Sequence, residues 1–566
     1  MNPQFKSYPF EARRYPASLP PLEGGSDPRR RPVVVVGGGP VGYCAALGLA
    51  NHGVPVVLLE ADDSVCFGSR AICISRRSLE IVERLGAADG FLKKGLPWTG
   101  GRSFYRNTEV LHFRMPTDEN QKLPPMINLA QYSIEQFLLD AAEARSDLIE
   151  IRWQNRLAAI DLREDGARLT VDTPVGGYTM DADWVVAADG GRSFVRETLG
   201  LQLKGTSYEG RYVIVDILLD SKRPTERLAY FDPACNRGST VLVHKQPDNV
   251  WRIDYQLQDG EDPDEAIKSE NVIPRVRSLL DMMGETAPWN PIWIGIYKAN
   301  ALTLEDYRHK RVLLAGDAAH LVPIFGVRGA NSGIDDADNL AWKLAFVVKG
   351  LASEKLLDSY SAERVAATHE NLSYGTKSTE FMAPPSFAFE LMRKAVLSLA
   401  VKHPSLNSLI NPRQTSAITY ATSPLNAADR SGEFTTGPVP GQPLQECSIT
   451  IVENGAAREA HLTDLVTPSI TGFYFSGDGA IPAALSKIEA DMRAEGIPFA
   501  LVNLTRHLNS GATEKHGWDH TGRPFDMYNA TPDSLYLVRP DGHVLGRWRR
   551  FDANATMAAI DLMLHP

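Results

Sequence analysis

Near the N-terminus, a run of β-branched residues gives way to a glycine-rich turn, an apolar helical pattern and a second apolar run. Residues 33–36 are four valines, and the second run, over residues 54–59, is followed by Glu60. No residue from 32 to 59 carries a charge, which raises the alternative of a membrane span. Three adjacent glycines, two prolines and the pair Asn51-His52 interrupt the stretch. Buried parallel strands around a glycine turn are therefore the better prediction, and we expect no membrane span.

A second strand–loop–helix pattern lies further along the chain. Residues 312–315 are apolar and stop at Gly316-Asp317, and a glycine-rich loop over residues 323–333 leads into a helix from residue 334 onward. The apolar stripe of this helix consists of Ile334, Ala337, Ala341, Leu344 and Val348. Asp335, Asp336 and Asp338 are expected in its first turn, where the helix dipole favours negative charge.

Alternating polar and apolar positions predict two further regions of sheet. Residues 149–186 read as a β-meander that closes on Asp189-Gly190. A mostly antiparallel sheet is predicted between residues 208 and 301, with strands at residues 212–219, 240–244, 250–257 and 292–297. In the third of these strands, Ile253, Tyr255 and Leu257 share one face, and Arg252, Asp254 and Gln256 share the other. One of the two faces is expected to cover a pocket.

The last part of the chain follows a loop-rich junction at residues 404–443. It shows a strand at 472–476, a helix, a strand at 499–502, a hairpin over 534–548 and a final helix. This order is thioredoxin-like, but the redox cysteine pair is absent. A role in structure or in association is therefore predicted for it.

Composition and charge narrow the function classes. A chain of 566 residues is too long for one core, and its net charge of −10 argues against a general nucleic-acid binder. Five scattered cysteines without a C-x-x-C pair favour a reducing, cytoplasmic location and predict no disulfide framework and no metal site. Residues 1–31 lack the apolar segment of a secretory signal and are expected to be a partly ordered leader.

The turn Gly37-x-Gly39-x-x-Gly42 has the spacing of a dinucleotide-binding site. Gly37 makes the tight turn, Gly39 admits a pyrophosphate, and Gly42 lets the helix pack on the strand. Glu60, after the second strand, is placed to bond a ribose hydroxyl. A bare glycine pattern is a weak signal, but strand, helix and terminal acid are all present here.

Three other positions are candidate cofactor contacts. Asp189 suits a second contact with pyrophosphate or ribose, and a plain turn is the alternative. Asp317 would accept bonds from a polyol chain, and the following helix start would stabilise a planar cofactor that becomes anionic on reduction. An ordinary strand–loop–helix corner is the alternative there. Arg70 is either a solvated surface residue or a cofactor contact, and its position leaves both open.

With these motifs placed, the chain resembles the FAD-dependent aromatic hydroxylases, the single-component class A flavoprotein monooxygenases. The Gly37 turn with Glu60 matches the family's adenosine site, Asp189-Gly190 its motif shared by FAD and NAD(P)H, and Gly316-Asp317 its ribityl motif. The C-terminal region is similar to that of the phenol hydroxylase and 3-(3-hydroxyphenyl)propionate hydroxylase branch. The implied fold class is α/β, with a Rossmann-type FAD domain, a mainly antiparallel substrate-domain sheet and a C-terminal thioredoxin-like domain.

The resemblance implies six parts of the chain and assigns further residues. The parts are a leader (1–31), a first FAD-binding part (32–207, with strands near 100–125 joining the substrate domain), a substrate-binding sheet (208–305), an FAD-binding return with helices (306–403), a linker (404–443) and the thioredoxin-like domain (444–566). The additional FAD contacts would be Arg70, Gln131, Pro323 near the reacting face, and Gly329, Ala330 and Asn331 near the flavin pyrimidine edge. Ile324 replaces a usual proline and Arg328 a frequent glutamine, and both are expected to face the flavin or its pocket.

The implied activity is hydroxylation of a phenolic or otherwise activated aromatic ring through a C4a-hydroperoxyflavin. FAD would be bound, NADH or NADPH would bind transiently, and O2 would be consumed, with a homodimer as the candidate assembly. A polar side chain should help to ionise the ring hydroxyl or anchor a carboxylate: Tyr255 first, then His244 or Arg252. Ordinary packing is the alternative for each. If Tyr255 has this role, Tyr255→Phe slows oxygen transfer.

Three rival functions remain open at this point. The first is flavin-dependent oxidation of another substrate type, such as a heteroaromatic compound or a polyketide. The second is a flavin halogenase, but its Trp-x-Trp-x-Ile-Pro signature is absent, and Trp289-Asn-Pro-Ile-Trp293 does not supply it. The third is a non-catalytic module that uses bound FAD to sense redox state.

Overall fold

A computed structural model describes residues 4–566 of the chain, except residues 69, 119, 259, 411–413, 430–431, 454–455, 507–515 and 520. The strands in chain order are β1 (Arg31–Val36), β2 (Val56–Leu59), β3 (Cys73–Ser75), β4 (Leu96–Trp98), β5 (Gly100–Tyr105), β6 (Thr108–Arg114), β7 (Met126–Asn128), β8 (Ile149–Arg152), β9 (Arg156–Leu162), β10 (Ala167–Thr173), β11 (Gly176–Ala187), β12 (Lys204–Leu219), β13 (Arg227–Phe231), β14 (Thr240–Lys245), β15 (Val250–Gln256), β16 (Trp289–Thr303), β17 (Arg308–His309), β18 (Val312–Leu314), β19 (His320–Leu321), β20 (Ser448–Glu453), β21 (Ala456–His461), β22 (Ile470–Ser476), β23 (Phe499–Thr505), β24 (His516–Trp518), β25 (Ser534–Val538) and β26 (Val544–Trp548). The helices are α1 (Pro40–Asn51), α2 (Arg76–Arg84), α3 (Ala88–Lys94), α4 (Gln131–Glu143), α5 (Phe194–Thr198), α6 (Pro263–Ala266), α7 (Ser269–Met282), α8 (Gly329–Val348), α9 (Leu356–Met382), α10 (Phe387–Ala400), α11 (Asn407–Ile410), α12 (Ala483–Ala494), α13 (Arg523–Met527) and α14 (Ala553–Leu564).

The first sheet has a core of parallel strands in the order β18-β11-β1-β2-β8. The short strand β17 pairs antiparallel with β18 at one edge, and β10 and β9 extend the sheet antiparallel from β11. β1 pairs in parallel with β2 and β11, as the dinucleotide-binding pattern predicts. Val33, Val34 and Val35 have no exposed surface, which explains the uncharged run as a strand buried on both faces. Among the described helices, none combines the length and apolar composition needed to cross a membrane.

The helix predicted after residue 333 begins earlier, at Gly329. The expectation that three aspartates crowd its first turn is therefore wrong, because they lie in its second and third turns. They bind cations on neighbouring elements instead: Asp335 and Asp338 pair with Arg77, and Asp336 pairs with Arg364. Ion pairing between elements, not the helix dipole, accounts for these charges.

The second sheet is mostly antiparallel, as predicted, and has the order β19-β16-β12-β15-β14-β13-β5-β6. The predicted strands are present, but β12 and β16 are longer than predicted, and β13 was missed. β13 pairs in parallel with β5, so strands from residues 100–114 complete this sheet. One of its faces packs against α7 through an apolar cluster, and its other face contains most of its buried charged side chains.

The C-terminal sheet has the order β21-β20-β24-β23-β22-β25-β26. β22 and β23 are parallel and joined by α12, whereas β25 and β26 form the predicted hairpin. Gly542 takes a φ of 77° at the tip of that hairpin, as the predicted turn requires. Strands β20, β21 and β24 were not predicted.

Candidate flavin and substrate site

The three glycines of the first turn have distinct surroundings. Gly37 has a φ of 104°, and a Cβ on Gly42 would lie 1.9 Å from the Gly37 carbonyl oxygen. A Cβ on Gly39 would meet no protein atom within 4 Å. Gly39 is also the N-cap of α1, and no side chain caps the first N–H groups of this helix. A pyrophosphate fits this cradle.

Glu60 is held at the edge of the same turn. Its carboxylate accepts hydrogen bonds from the Gly38 N–H at 2.5 Å and from the Asp62 N–H at 2.8 Å. Burial raises the pKa of Glu60, and these backbone bonds counter that effect. The carboxylate therefore stands beside the glycine turn, where the ribose of a bound dinucleotide is expected.

The Asp189 loop lies directly against the first turn, because a Cβ on Gly37 would meet the Ala188 carbonyl oxygen at 2.5 Å. The Asp189 carboxylate accepts bonds from the Ser193 hydroxyl at 2.5 Å and the Val195 N–H at 3.0 Å. Its side chain thus shapes its own loop and the start of α5. Burial raises the pKa of Asp189, and these bonds act against the rise.

Arg196 joins the Asp189 loop to the Gly316-Asp317 loop, a role that sequence reasoning missed because its only local signal is its place after the motif. Its guanidinium donates to the Gly191 carbonyl at 2.7 Å and to the Asp317 and Ala318 carbonyls at 3.3 and 3.1 Å. The two loops that were predicted to contact one cofactor are therefore fixed to each other.

Gly316 and Asp317 complete the cradle. Cβ atoms on Gly316 and Gly333 would both contact the Val41 side chain of α1, at 2.9 and 2.6 Å, so the second loop closes on the first helix. The Asp317 side chain is exposed and makes no hydrogen bond or ion pair within the described part of the chain. Nearby protein atoms still raise the pKa of Asp317 by desolvation, and His320 and Arg70 oppose this. Its free carboxylate suits a polyol chain.

Asp336, which was not singled out as a site residue, supports this loop from behind. It accepts bonds from the Gly316 N–H at 2.9 Å, His320 at 2.6 Å and Arg364 at 2.6 Å, all fully buried. Burial alone would raise its pKa, but His320 and Arg364 outweigh it and lower the pKa to about 2. Asp336 is therefore an anion that fixes the backbone of the ribityl motif.

Arg70 and Gln131 are adjacent in the structure. The Gln131 side-chain oxygen accepts from the Arg70 and Ala71 N–H groups at 3.3 and 3.1 Å. The Arg70 side chain is exposed, and its charge reaches Asp317. Gln131 therefore holds the backbone of the Arg70 segment, and the Arg70 charge acts on Asp317.

The Asn331 side chain binds neighbouring elements of the protein. Its side chain makes four hydrogen bonds, accepting from the Ser75 N–H and the Ser78 hydroxyl and donating to the Cys73 and Val327 carbonyls. It fastens the start of α8 to β3 and α2. The N–H groups of Gly329, Ala330 and Asn331 have no acceptor within the helix, so the backbone is the part of this segment available to a flavin.

The two departures from the family pattern lie apart from each other. Ile324 is half-buried against an apolar cluster that includes Tyr212 and Tyr297. Arg328 is turned away, since it donates to Asn371 at 2.8 Å and lies over the Tyr374 ring of α9 at 4.9 Å. These contacts fix Arg328 between α8 and α9, and the expectation that it faces the flavin or its pocket stays a prediction. Pro323 is buried against Gly375 of α9, because a Cβ on Gly375 would lie 3.3 Å from the Pro323 ring.

Tyr255, the first catalytic candidate, lies on the face of the second sheet that packs against α7. It belongs to the apolar cluster there, and the Arg275 guanidinium lies 5.3 Å from its ring centre. Arg252 faces the opposite way, because it donates to the Arg70 carbonyl at 3.1 Å. The structure therefore does not bring Tyr255 to the flavin side, which removes the geometric basis of its expected role.

The other face of the second sheet, which we call the flavin-side face, carries Asp216, Arg252 and Tyr212. Arg252 forms a two-bond pair with Asp216, each bond 2.8 Å long, and the leader residue Tyr8 donates to Asp216 at 2.5 Å. Tyr212 stacks on Tyr297. Phe325, in the loop of residues 323–328 that precedes α8 and that we call the flavin loop, meets Tyr212 edge-on with ring centres 5.4 Å apart. This face therefore lies against the loop that precedes α8.

Several buried polar atoms on this face have no hydrogen-bond partner among the residues that the structure describes. They are the Tyr212 and Tyr297 hydroxyls, His244 Nδ1 and Arg227 Nε. Burial, with Arg227 and Arg252 nearby, lowers the pKa of His244 well below its usual range, so this imidazole is neutral. Unpaired polar atoms in a buried aromatic site suit a ligand that has both a ring and polar substituents.

Comparisons with known proteins agree with this geometry. The family model described as an FAD binding domain matches residues 30–373, more than half of the chain. Two relatives named 3-(3-hydroxy-phenyl)propionate/3-hydroxycinnamic acid hydroxylase are similar to it: one from Mycolicibacterium smegmatis is 29% identical over 67% of this chain and 66% of its own length, and one from Klebsiella pneumoniae is 32% identical over 62% of each. The chain thus spans slightly under two thirds of the length of these relatives.

Solved structures show the same fold. The flavin-dependent monooxygenase PieE, in complex with FAD and substrate, matches with a TM-score of 0.78 at 22% identity over 95% of this chain and 99% of its own. The p-nitrophenol 4-monooxygenase PnpA from Pseudomonas putida matches with a TM-score of 0.56 at 27% identity, over 67% of this chain and 96% of its own.

Proposed function

The chain belongs to the FAD binding domain family, and from this premise we propose that it is an aromatic hydroxylase that uses NAD(P)H and O2. FAD is its cofactor. When bound, FAD supplies the redox chemistry, taking a hydride from NAD(P)H and activating O2. The protein's own task is to hold the ring beside the flavin and to keep water away from the reacting atoms.

Different residues of the cradle would hold different parts of the FAD molecule. Gly39 and the start of α1 would take the pyrophosphate, Glu60 the adenosine ribose, and Asp317 the ribityl chain. The backbone at Gly329 and the Arg70–Gln131 pair would contact the flavin end. The open space at Gly39 and the free carboxylate of Asp317 support this assignment.

One observation carries the proposal for the substrate: among the described residues, the Tyr212 and Tyr297 hydroxyls, His244 Nδ1 and Arg227 Nε lie without hydrogen-bond partners on the sheet face that contacts Phe325. A phenol would place its ring among Tyr212, Tyr297 and Phe325. The relatives' names support a hydroxyphenyl carboxylic acid, and Arg227 offers an anchor for its carboxylate.

The division into parts is proposed on the same basis. Residues 32–207 and 306–403 would form the FAD domain, and residues 208–305 the substrate domain, behind the leader (1–31). The linker (404–443) would lead to a thioredoxin-like unit over residues 444–566, supported by the parallel β22–α12–β23 unit followed by the β25–β26 hairpin and α14. We further propose a cytoplasmic homodimer, supported by the exposed apolar side chains Phe387, Leu391 and Leu399 of α10.

The test uses purified full-length protein with a panel of phenols, hydroxybenzoates, hydroxyphenylpropionates and heteroaromatic acids. We expect a yellow protein whose NADH or NADPH oxidation rises many-fold with a phenolic member of the panel, together with hydroxylated product. A yellow protein with no stimulated oxidation and no product from any member would instead favour the non-catalytic redox-sensing module.

A further inference from the structure

We propose that Asp254 accepts the proton of the substrate's ring hydroxyl during oxygen transfer, which makes the substrate a phenol bound with its hydroxyl over the middle of β15. This inference rests on the proposed function and deepens it. Asp254 was placed on the correct face by alternation, but it was not among the catalytic candidates.

Asp254 is the buried anion of the flavin-side face that has no partner. It is 7% exposed, and within the described residues its carboxylate makes no hydrogen bond or ion pair. Its cross-strand neighbours are Ile214 on β12 and Leu242 on β14, and neither side chain has a donor. A buried carboxylate without donors is unfavourable for folding, so it needs a ligand to supply one.

The groups around Asp254 fit an incoming phenol. The charged or titratable groups that act on it or face it are Arg252 on the same strand, Asp216 and Tyr212 on β12, His244 on β14, Arg227 on β13, Tyr297 on β16 and Cys73 on β3. Arg252 is already paired with Asp216, which leaves Arg227 as the cation that balances negative charge on this face. Burial raises the pKa of Asp254 to about 7, with Arg252 and Arg227 acting against the rise. A carboxyl with this pKa can both take up and return a proton near neutral pH.

The proposed step moves one proton out and back. As the O–O bond of the activated oxygen breaks and its outer oxygen bonds to the ring carbon next to the hydroxyl-bearing carbon, the ring hydroxyl gives its proton to Asp254 and its C–O bond becomes C=O. The attacked carbon then loses its proton, which restores the aromatic ring, and this proton goes to the second oxygen atom, which leaves as water. Asp254 returns its proton to the ring oxygen. Overall, phenol, O2, NAD(P)H and a proton give a dihydric phenol, water and NAD(P)+.

The experiment compares the holoenzyme with Asp254→Asn and Asp254→Glu, using 3-(3-hydroxyphenyl)propionate as the first probe and then the rest of the phenol panel. We expect Asp254→Asn to lower kcat by about 100-fold with little change in KM, because general-base catalysis is lost while binding remains. The rising limb of the kcat/KM profile near pH 7 should disappear in this variant and return in part in Asp254→Glu. Infrared difference spectra of the oxidised enzyme without substrate should show a protonated carboxyl band that titrates near pH 7 and is absent from Asp254→Asn.

Asp281→Asn is the matched control, since it makes the same change at an exposed carboxylate of α7. A wild-type enzyme that hydroxylates a phenol, with Asp254→Asn equal to it in kcat and pH profile, would overturn this inference alone. A wild-type enzyme that shows no phenol-stimulated NAD(P)H oxidation would overturn the proposed function and this inference together.

Discussion

Burial of the Asp254 carboxylate lowers the stability of the folded protein, and the fold itself does not require this residue. A carboxyl whose pKa lies near 3.8 in the unfolded chain and near 7 in the folded one is destabilised in its charged form on folding. Below pH 4 the group is neutral in both states and contributes nothing unfavourable. As the pH rises towards 7, the unfolded chain ionises while the folded one resists, so stability falls.

Asp254→Asn should therefore stabilise the protein at pH 8 and leave its stability nearly unchanged at pH 4. The shift corresponds to an upper bound of about 4 kcal/mol, reached above pH 7. Urea unfolding of the apo-protein at a series of pH values measures the difference between variant and wild type. A stability difference that does not grow with pH would show that Asp254 is paired or solvated in the folded protein.

At this scale the sequence predicted the faces of β15 but not their roles. Alternation places Tyr255 and Asp254 on opposite faces of β15, because successive side chains of a strand point to opposite faces. Which face meets the flavin depends on α7 and on the loop before α8, which are distant in sequence. Tyr255 is a catalytic candidate because of its hydroxyl group. Its position in the alternating pattern, however, puts it on the face that packs against α7.

At the scale of elements, the glycine turn shows why one motif needs three different residues. Gly42 is required by the fold, since its Cβ would overlap the Gly37 carbonyl at 1.9 Å. Gly39 is required by the ligand alone, since its backbone φ of −78° is open to any residue and no protein atom lies near its Cβ.

Two alanine substitutions separate these requirements. Gly42→Ala should destabilise the apo-protein by more than about 2 kcal/mol, because backbone atoms must move. Gly39→Ala should change apo-protein stability by less than about 1 kcal/mol yet weaken FAD binding at least tenfold, because the methyl group fills the pyrophosphate space. Thermal unfolding of the apo-protein and FAD titration by flavin fluorescence measure the two effects. Equal loss of stability in both variants would refute the distinction.

The start of α8 marks the limit of prediction for elements. Short-range patterns located the strands and turns of the cradle, because those conformations are set by adjacent residues. Gly329, Ala330 and Asn331 read as loop, since glycine and asparagine are poor helix formers. Four hydrogen bonds from Asn331 to distant elements hold that turn as helix, and no local pattern contains them.

At the scale of the whole molecule, a buried ion network connects the C-terminal unit (residues 444–566) to helix α8. Glu363 of α9 accepts from Arg539 at 2.6 and 3.0 Å and from Lys343 of α8 at 2.7 Å, and all three side chains have no exposed surface. Asp541, at the hairpin tip (residues 539–543), accepts from Trp342 of α8 at 3.0 Å. The sequence could not reveal the two contacts of the hairpin, since Arg539 lies 176 residues from Glu363 and Asp541 lies 199 residues from Trp342.

Arg539→Met tests whether this network serves the flavin site. Removing the cation leaves the Glu363 and Asp541 carboxylates buried near each other, and loss of one member of a buried pair costs about 3–5 kcal/mol. Because Lys343, Trp342 and Asp336 lie on the same helix, and Asp336 holds the Gly316 N–H, we expect FAD affinity to fall as well. Arg550→Met, at a side chain that is 91% exposed in the same unit, is the control and should change neither property.

The measurement combines thermal unfolding of the holoenzyme with FAD titration of the apo-protein. A single unfolding transition that moves to lower temperature, together with weaker FAD binding, is the expected result, because α8 belongs to both the cradle and the network. An early separate transition with unchanged FAD affinity would show instead that the C-terminal unit is only attached to the FAD domain. The first result would assign the unit a positioning role that needs no redox cysteines, which fits their absence from its sequence.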